Sequence, residues 1–270
     1  MIRFRLDGRP HCLPETWAEL TGPQLLSAAP YLAADTVANR LAVVRAWCPK
    51  VRERDVRRLT PDQLWDLCAQ VGWAWKLEQA GLTEFAHRGR TYLVVEPNLT
   101  DAVLVEYAMA SVYFHLFARP KAPQATALDQ LVATLCRPAA AGVDENDPAW
   151  DGQRRERYNG KLAEARAKEL ADLPLSLKMV VLHRFLAAER FIQRNYQDLY
   201  EKPAPQPEGP PAAAGPAPKG DGTQVLEILA ELAETGTYGT YEQVCHTRLH
   251  TVFFNLAKKA RRRREAEKQS

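Results

Sequence analysis

LPLSLKMVVLHRFLAAERFIQRNYQDL, from Leu173 to Leu199, sets the fold class. Leu177, Val181, Phe185, Ala188, Ile192, Tyr196 and Leu199 recur at intervals of 4, 4, 3, 4, 4 and 3, the period of an α-helix with one apolar face. Val180, Leu182, Leu186 and Phe191 widen that stripe beyond what one packing seam requires. A helix of this kind is either central and covered on all sides, or it lines a groove that takes another helix. Phe185, Phe191 and Ile192 are its candidate contacts for a partner.

Helical patterns continue upstream. Asp35 reads as the N-cap of a helix carrying Val37, Leu41, Val44 and Trp47, stopped by Pro49. Thr60-Pro61 opens another, with Leu64, Leu67, Cys68, Val71 and Trp75 as its stripe. Trp73 and Trp75 cannot face the same way on one helix, so one of them is expected at an interface. A long helix follows Asn98-Leu99-Thr100, a shorter one spans Ala127 to Cys136, and a polar helix with few buried positions is expected from Asp151 to Ala171. Two stretches break the helical period. Ile2, Phe4 and Leu6 alternate with Arg3 and Arg5 before the Asp7-Gly8 turn, and FAHRGRTYLVV from Phe85 to Val95 folds back at Gly89. Both are hairpin signals. The expected fold is mainly α with small β-hairpins.

Downstream of the long helix the composition changes. Pro203 to Gly222, PAPQPEGPPAAAGPAPKGDG, has seven prolines and four glycines, with alanine as its one apolar side chain besides proline. Too little surface can be buried there to offset the entropy of ordering. The expected organisation is an α-rich main domain over 1–202, a polyproline-leaning linker over 203–222, and a small helical module over 223–270. Within the module Val225, Leu229 and Leu232 form one apolar face, Gly236 is a natural stop, and Thr240 with Gln243 fits a capping box. Val252, Phe253 and Leu256 complete its greasy side and, with Val225, Leu229 and Leu232, are candidate partner contacts. About fifty residues without a disulfide are marginal alone, so this piece should lean on a partner, on its own kind or on the main domain.

The net charge of +3 conceals an asymmetry. Lys258, Lys259, Arg261, Arg262, Arg263, Arg264 and Lys268 face two acidic residues in the last thirteen positions, leaving 29 basic against 31 acidic residues elsewhere. This basic tail reads as a solvated helix end, as an anchor for an anionic protein surface, or as a nucleic-acid contact. Five scattered cysteines suit a reducing compartment, where thiols serve as small hydrophobes. The opening MIRFRLDGRP lacks an apolar signal core and no apolar run approaches eighteen residues, so neither export nor a membrane partner is expected.

Catalytic constellations are missing. There is no G-x-S-x-G, no P-loop and no G-x-G-x-x-G after a strand. Cys245, His246 and His250 have metal-like spacing, but without a second ligand pair they make a poor closed site. The carboxylates Asp144, Glu145, Asp147 and Asp172 sit beside prolines in loops, where they more often cap helices or solvate turns. The reading is therefore of a non-enzyme with no cofactor and no metal.

The order of these parts resembles one family. LP-x-x-W from Leu13 to Trp17, F-x-x-R-G-R-x-Y-x-V from Phe85 to Val94, NLTDAVLVEY from Asn98, ADLPLSLKMVVLHRFL from Ala171 and F-x-x-L-A-x-K from Phe253 are similar to stretches of the tail assembly chaperones of tailed bacteriophages and prophages. The resemblance implies a non-catalytic chaperone in the cytoplasm of a bacterial host cell. Such a protein coats a hydrophobic tape measure protein while tail tube subunits polymerise around it. Many of the family exist as a short form and a longer frameshifted form, and the proline-rich tether departs from a compact two-part chaperone. The competing expectation is a nucleic-acid-associated adaptor anchored by Lys258 to Lys268.

Overall fold

The computed structural model describes residues 1–6, 8–32, 34–75, 82–119, 122–142, 146, 150, 152–199 and 222–267. The hairpin signals give a two-stranded sheet, β1 (Ile2–Leu6) with β2 (Arg9–Leu13), and a second hairpin, β3 (Glu84–His87) with β4 (Arg90–Val94). In the second, Arg88 and Gly89 both take positive φ (48° and 77°), the backbone of a two-residue turn whose twist matches the strands. Its register places Phe85 opposite Tyr92, with the rings stacked at 5.4 Å. A third strand, β5 (Cys136–Pro138), pairs antiparallel with β4 and has no counterpart in the sequence reading. Three residues are too few to show a two-residue period.

Helices make the rest. In chain order they are α1 (Gly22–Ala28), α2 (Val37–Trp47), α3 (Glu53–Val56), α4 (Pro61–Ala69), α5 (Leu104–Phe117), α6 (Ala125–Leu135), α7 (Gly160–Glu169), α8 (Leu175–Asn195), α9 (Gln224–Glu234), α10 (Tyr241–Cys245) and α11 (Leu249–Glu267). Capping chemistry starts several of them. Thr21, Thr60 and Thr240 each form a capping box with a glutamine three residues on, and Asn159 caps α7. Thr36, not Asp35, caps α2; the Asp35 carboxylate is drawn instead to Arg40, whose Nε lies 2.6 Å away. The mainly α fold with two small antiparallel sheets is as the sequence pattern predicts.

The long helix is central. Val181, Phe185, Ala188 and Ile192 of α8 are fully buried, packed with α5 and α6. Tyr107 and Phe114 of α5 lie 6.3 and 5.9 Å from the Phe185 ring. Beside His183 of α8, Trp17, Trp47 and Trp73 form a cluster, with Trp47 and Trp73 stacked at 5.2 Å and Trp17 6.1 Å from His183. Burial beside this cluster pulls the His183 imidazole down to about 4, so it is neutral at ordinary pH. Trp73 and Trp75 both turn inward, against expectation, because Gly72–Trp75 is a 3-10 turn and not a helix. Their indole nitrogens donate to Pro14 O and Leu32 O, each at 3.2 Å.

One expectation needs correction. Among the described residues of 151–171 only α7 is helical. Gln153 to Glu156 run extended, with Ala140 N donating to Arg154 O and Glu156 N to Pro138 O at 2.8 Å each, and this places the Arg155 side chain inside the protein at 1% exposure. The polar pattern that suggested a solvated helix is in part a buried ion network.

Residues 223–267 are not held away from the main body. Leu104 N donates to Thr247 O and Leu249 N to Ala102 O at 3.0 Å each, so the α10–α11 turn is bonded to the start of α5. Phe253 stands edge-on to Tyr107 at 5.5 Å and to Tyr196 at 5.7 Å. His250 Nε2 donates to Asn98 O and its Nδ1 shares a hydrogen bond with the Tyr196 hydroxyl, each at 2.8 Å. The piece leans on the main domain, for the reason its size predicts: its own apolar face needs a second layer. The expected linker, 203–222, lies outside the described residues except for Gly222.

Candidate functional site

Four helices leave a space between them. Tyr107, Ser111 and Phe114 of α5, Leu186, Glu189 and Gln193 of α8, Val225, Ile228 and Leu232 of α9, and Phe253, Leu256 and Ala260 of α11 surround a cleft of ≈ 910 Å³. Each helix contributes side chains three and four positions apart, so each presents one continuous face to it. The interior is chiefly apolar. Arg190 of α8 and Lys259 and Arg263 of α11 are exposed at its mouth, with Glu231 of α9 and His115 of α5. Among the described residues no carboxylate lies within ion-pair distance of Arg190, Lys259 or Arg263.

One acid sits in the wall. Glu189 follows Phe185 by one helical turn and falls within the apolar stripe of α8. Its carboxyl receives the Ser111 hydroxyl at 3.4 Å and a hydrogen bond from Tyr107. Burial pushes it from an ordinary 4.5 up to about 7, against the opposing pull of those two hydroxyls. The sequence held a signal for it, a lone carboxylate in an otherwise apolar stripe, and the sequence reading passed over it. Ile228 and Arg190 were also missed; neither stands out in a pattern until the helices are placed side by side.

The contacts expected from sequence divide. Phe185, Ile192, Leu229 and Val252 are fully buried, and Phe253 is 2% exposed. The first four hold the helices together and are not available to a partner in this packing. Phe253 still shows an edge to the cleft, and Leu232 at 8% exposure lines it too. Val225 and Leu256 are half-buried on its walls. Phe191 is half-buried elsewhere, with its ring edge-on to His250 at 5.9 Å.

The basic tail is the last half of α11. Lys258, Lys259, Arg261, Arg262 and Arg263 are exposed, while Arg264 reaches back to Asp198 with Nη1 3.0 Å from Oδ1 and Nη2 donating to its carbonyl at 2.7 Å. That pair ties α11 to the turn after α8. Lys268 lies outside the described residues.

Cys245, His246 and His250 do not share a helix. α10 ends at Cys245 and α11 begins at Leu249, and among the described residues no group of His, Cys, Asp or Glu is placed to hold a metal ion. Asp144, Glu145 and Asp147 lie outside the described residues. Asp172 is exposed and pairs with Arg88 at 2.8 Å and His87 at 3.1 Å.

A second cluster of ionisable groups is sealed. Arg155 donates to Asp101 Oδ2 at 2.7 Å and to Glu106 Oε2 at 2.8 Å, and Arg137 pairs with the other Glu106 oxygen. All four side chains are exposed by 7% or less. Two acids and two bases balance, and the cluster joins α5, β5 and the extended stretch before α7. It is a fastening, and the open cleft is the better candidate for function.

No family model matches this chain, and neither a curated protein nor a solved structure matches it.

Proposed function

We propose that this protein is a non-catalytic binding factor of the tail-morphogenesis type, one that holds a helical, tape-measure-like client and hands it to tube subunits in the cytoplasm of a bacterial host. The observation that carries the reading is the cleft among α5, α8, α9 and α11, whose walls on α5, α9 and α11 present apolar side chains at helical spacing while α8 adds Leu186 beside the polar Glu189 and Gln193. Supporting it, the order and short spellings of the hairpins and helices resemble those chaperones. Among the described residues no helix is long and apolar enough to cross a membrane.

The contact set is Val225, Ile228, Leu232 and Leu256, with the edge of Phe253. Client binding at such walls is reversible and stoichiometric. Co-expression with the long coiled-coil product of a neighbouring tape measure gene tests it: the client should become soluble and co-purify. No gain in solubility and no co-purification would sink the reading.

The alternative, a nucleic-acid-associated adaptor, is favoured by one observation, the five exposed cations from Lys258 to Arg263 on a single helix.

A further inference from the structure

We infer that the partner seated in this cleft is an amphipathic helix with acidic flanks. The inference rests on the reading of the cleft as a helix-binding site and adds the charge of what it binds. Two features of the mouth support it. Arg190 and Arg194 stand one turn apart on the exposed side of α8, and Lys259 and Arg263 stand one turn apart on α11. These are two rows of cations at i,i+4 spacing on two helices that border the same apolar opening; Arg190, Lys259 and Arg263 line it, and Arg194 lies beside it. A helix lying in the cleft with its apolar face inward would bring its own flanking i,i+4 positions to those rows.

The cations are free to act. Arg190 and Arg194 are exposed and use Nε to donate to the carbonyl one turn back, at 3.2 and 3.3 Å. Among the described residues, the opposing charge at the mouth is Glu231 on α9, one acid against Arg190, Lys259 and Arg263. Facing Glu189 across the cleft are Tyr107, Ser111 and His115 of α5 and Lys259 and Arg263 of α11, with Glu231 and Gln224 from α9. An acidic-flanked helix therefore meets attraction at the rim and an apolar surface below it, while a basic-flanked helix meets like charge on both rows.

The test uses the full chain and two labelled synthetic helices of about 18 residues. They share Leu at i, i+3, i+4 and i+7, and one is flanked by Glu where the other is flanked by Lys. Fluorescence anisotropy should give the Glu-flanked helix an affinity at least about tenfold higher at low salt, with the gap narrowing as salt is raised. Arg190→Glu combined with Lys259→Glu and Arg263→Glu should invert the preference; all three side chains are exposed, and an unchanged thermal midpoint would verify folding. Equal or tighter binding of the Lys-flanked helix overturns the inference, as does a triple variant with unaltered preference. So does competition for the site by a single-stranded oligonucleotide, or a self-associated dimer that the triple variant dissociates. If the tape-measure client is solubilised but the Glu-flanked helix is not preferred, the charge inference alone fails. If neither helix binds and the client stays insoluble, the reading of the cleft fails with it.

Discussion

Arg155 Nη2 lies 2.8 Å from Glu106 Oε2, and both side chains are only 1% exposed. The same guanidinium spans to Asp101 Oδ2 at 2.7 Å and to the Leu135 carbonyl at 3.2 Å. One planar fork thus joins the start of α5 to the end of α6. Asp101 is held from three further sides: Oδ1 accepts from Glu96 N at 2.9 Å, and its carbonyl accepts from Gln153 and Arg248 at 3.0 and 2.8 Å. The network therefore also reaches the turn that docks α11.

Arg155→Met removes the charge and leaves two buried carboxylates sharing Arg137. Losing one partner of a buried pair typically costs about 3–5 kcal/mol, so the urea midpoint should fall steeply. Arg155→Lys should rescue little, since an ammonium cannot span both acids in one plane. A loss below about 1 kcal/mol, typical of a surface pair, would show that the network is not a fastening.

Glu189 makes stability depend on pH. Its carboxyl is raised from 4.5 to about 7 in the folded protein, so between these values the folded state holds a proton that the unfolded state has released. Its contribution is full below about 4.5 and is lost as pH climbs through about 7. Glu189→Gln should flatten this part of the stability profile and stabilise the protein at pH 8 by up to about 3 kcal/mol, less to the extent that water in the cleft solvates the carboxylate. Paired denaturant titrations at pH 5 and pH 8 measure it; identical pH slopes for the two proteins would refute it.

Gly222 leads into α9 with φ of +83°, and a Cβ there would stand 2.7 Å from the Ser111 carbonyl oxygen. Backbone cannot move aside as a side-chain end can. Gly222→Ala should cost about 1–2 kcal/mol from the left-handed backbone alone, with the collision in addition. Faster amide exchange in α9 than in α6 would mark local loosening of the docked segment. Unchanged protection across α9 would count against the close approach.

Ending the chain at Ala257 separates the two functional readings. It removes the exposed cations and the Arg264–Asp198 contact. A surface ion pair of this kind is worth no more than about 1 kcal/mol, so the fold should survive. If the tail is a nucleic-acid anchor, the full chain binds an oligonucleotide with a steep salt dependence that vanishes on truncation. On the chaperone reading the truncated chain still co-purifies with its client, though with weaker discrimination for acidic flanks because Lys259 and Arg263 are gone.

Much of the fold was legible in the chain because its signals are local. Leu177 to Leu199 declared a helix by spacing, Thr60 and Thr240 marked helix starts by reaching backbone N–H groups three residues on, and Gly89 marked a turn by its positive φ. β5 was not legible, since Cys136 to Pro138 is a strand only because β4 offers it an edge. Arg155 misled for a related reason: whether an arginine is solvated or buried depends on whether carboxylates such as Asp101 and Glu106, some fifty residues away in sequence, converge on it.

The sequence by itself determined the helical class, the two hairpins, the helix starts at Thr60 and Thr240 and the charge bias of the tail, all of which follow from periodicity and from interactions within a few residues. Only the tertiary structure decided that Phe185, Ile192, Leu229 and Val252 are spent on packing while Val225, Ile228 and Leu256 still face a cleft. An apolar stripe records that a face avoids water, and every covering layer satisfies that requirement equally. Which layer covers it is set by long-range contacts such as Phe253 on Tyr107, and these have no period in the chain.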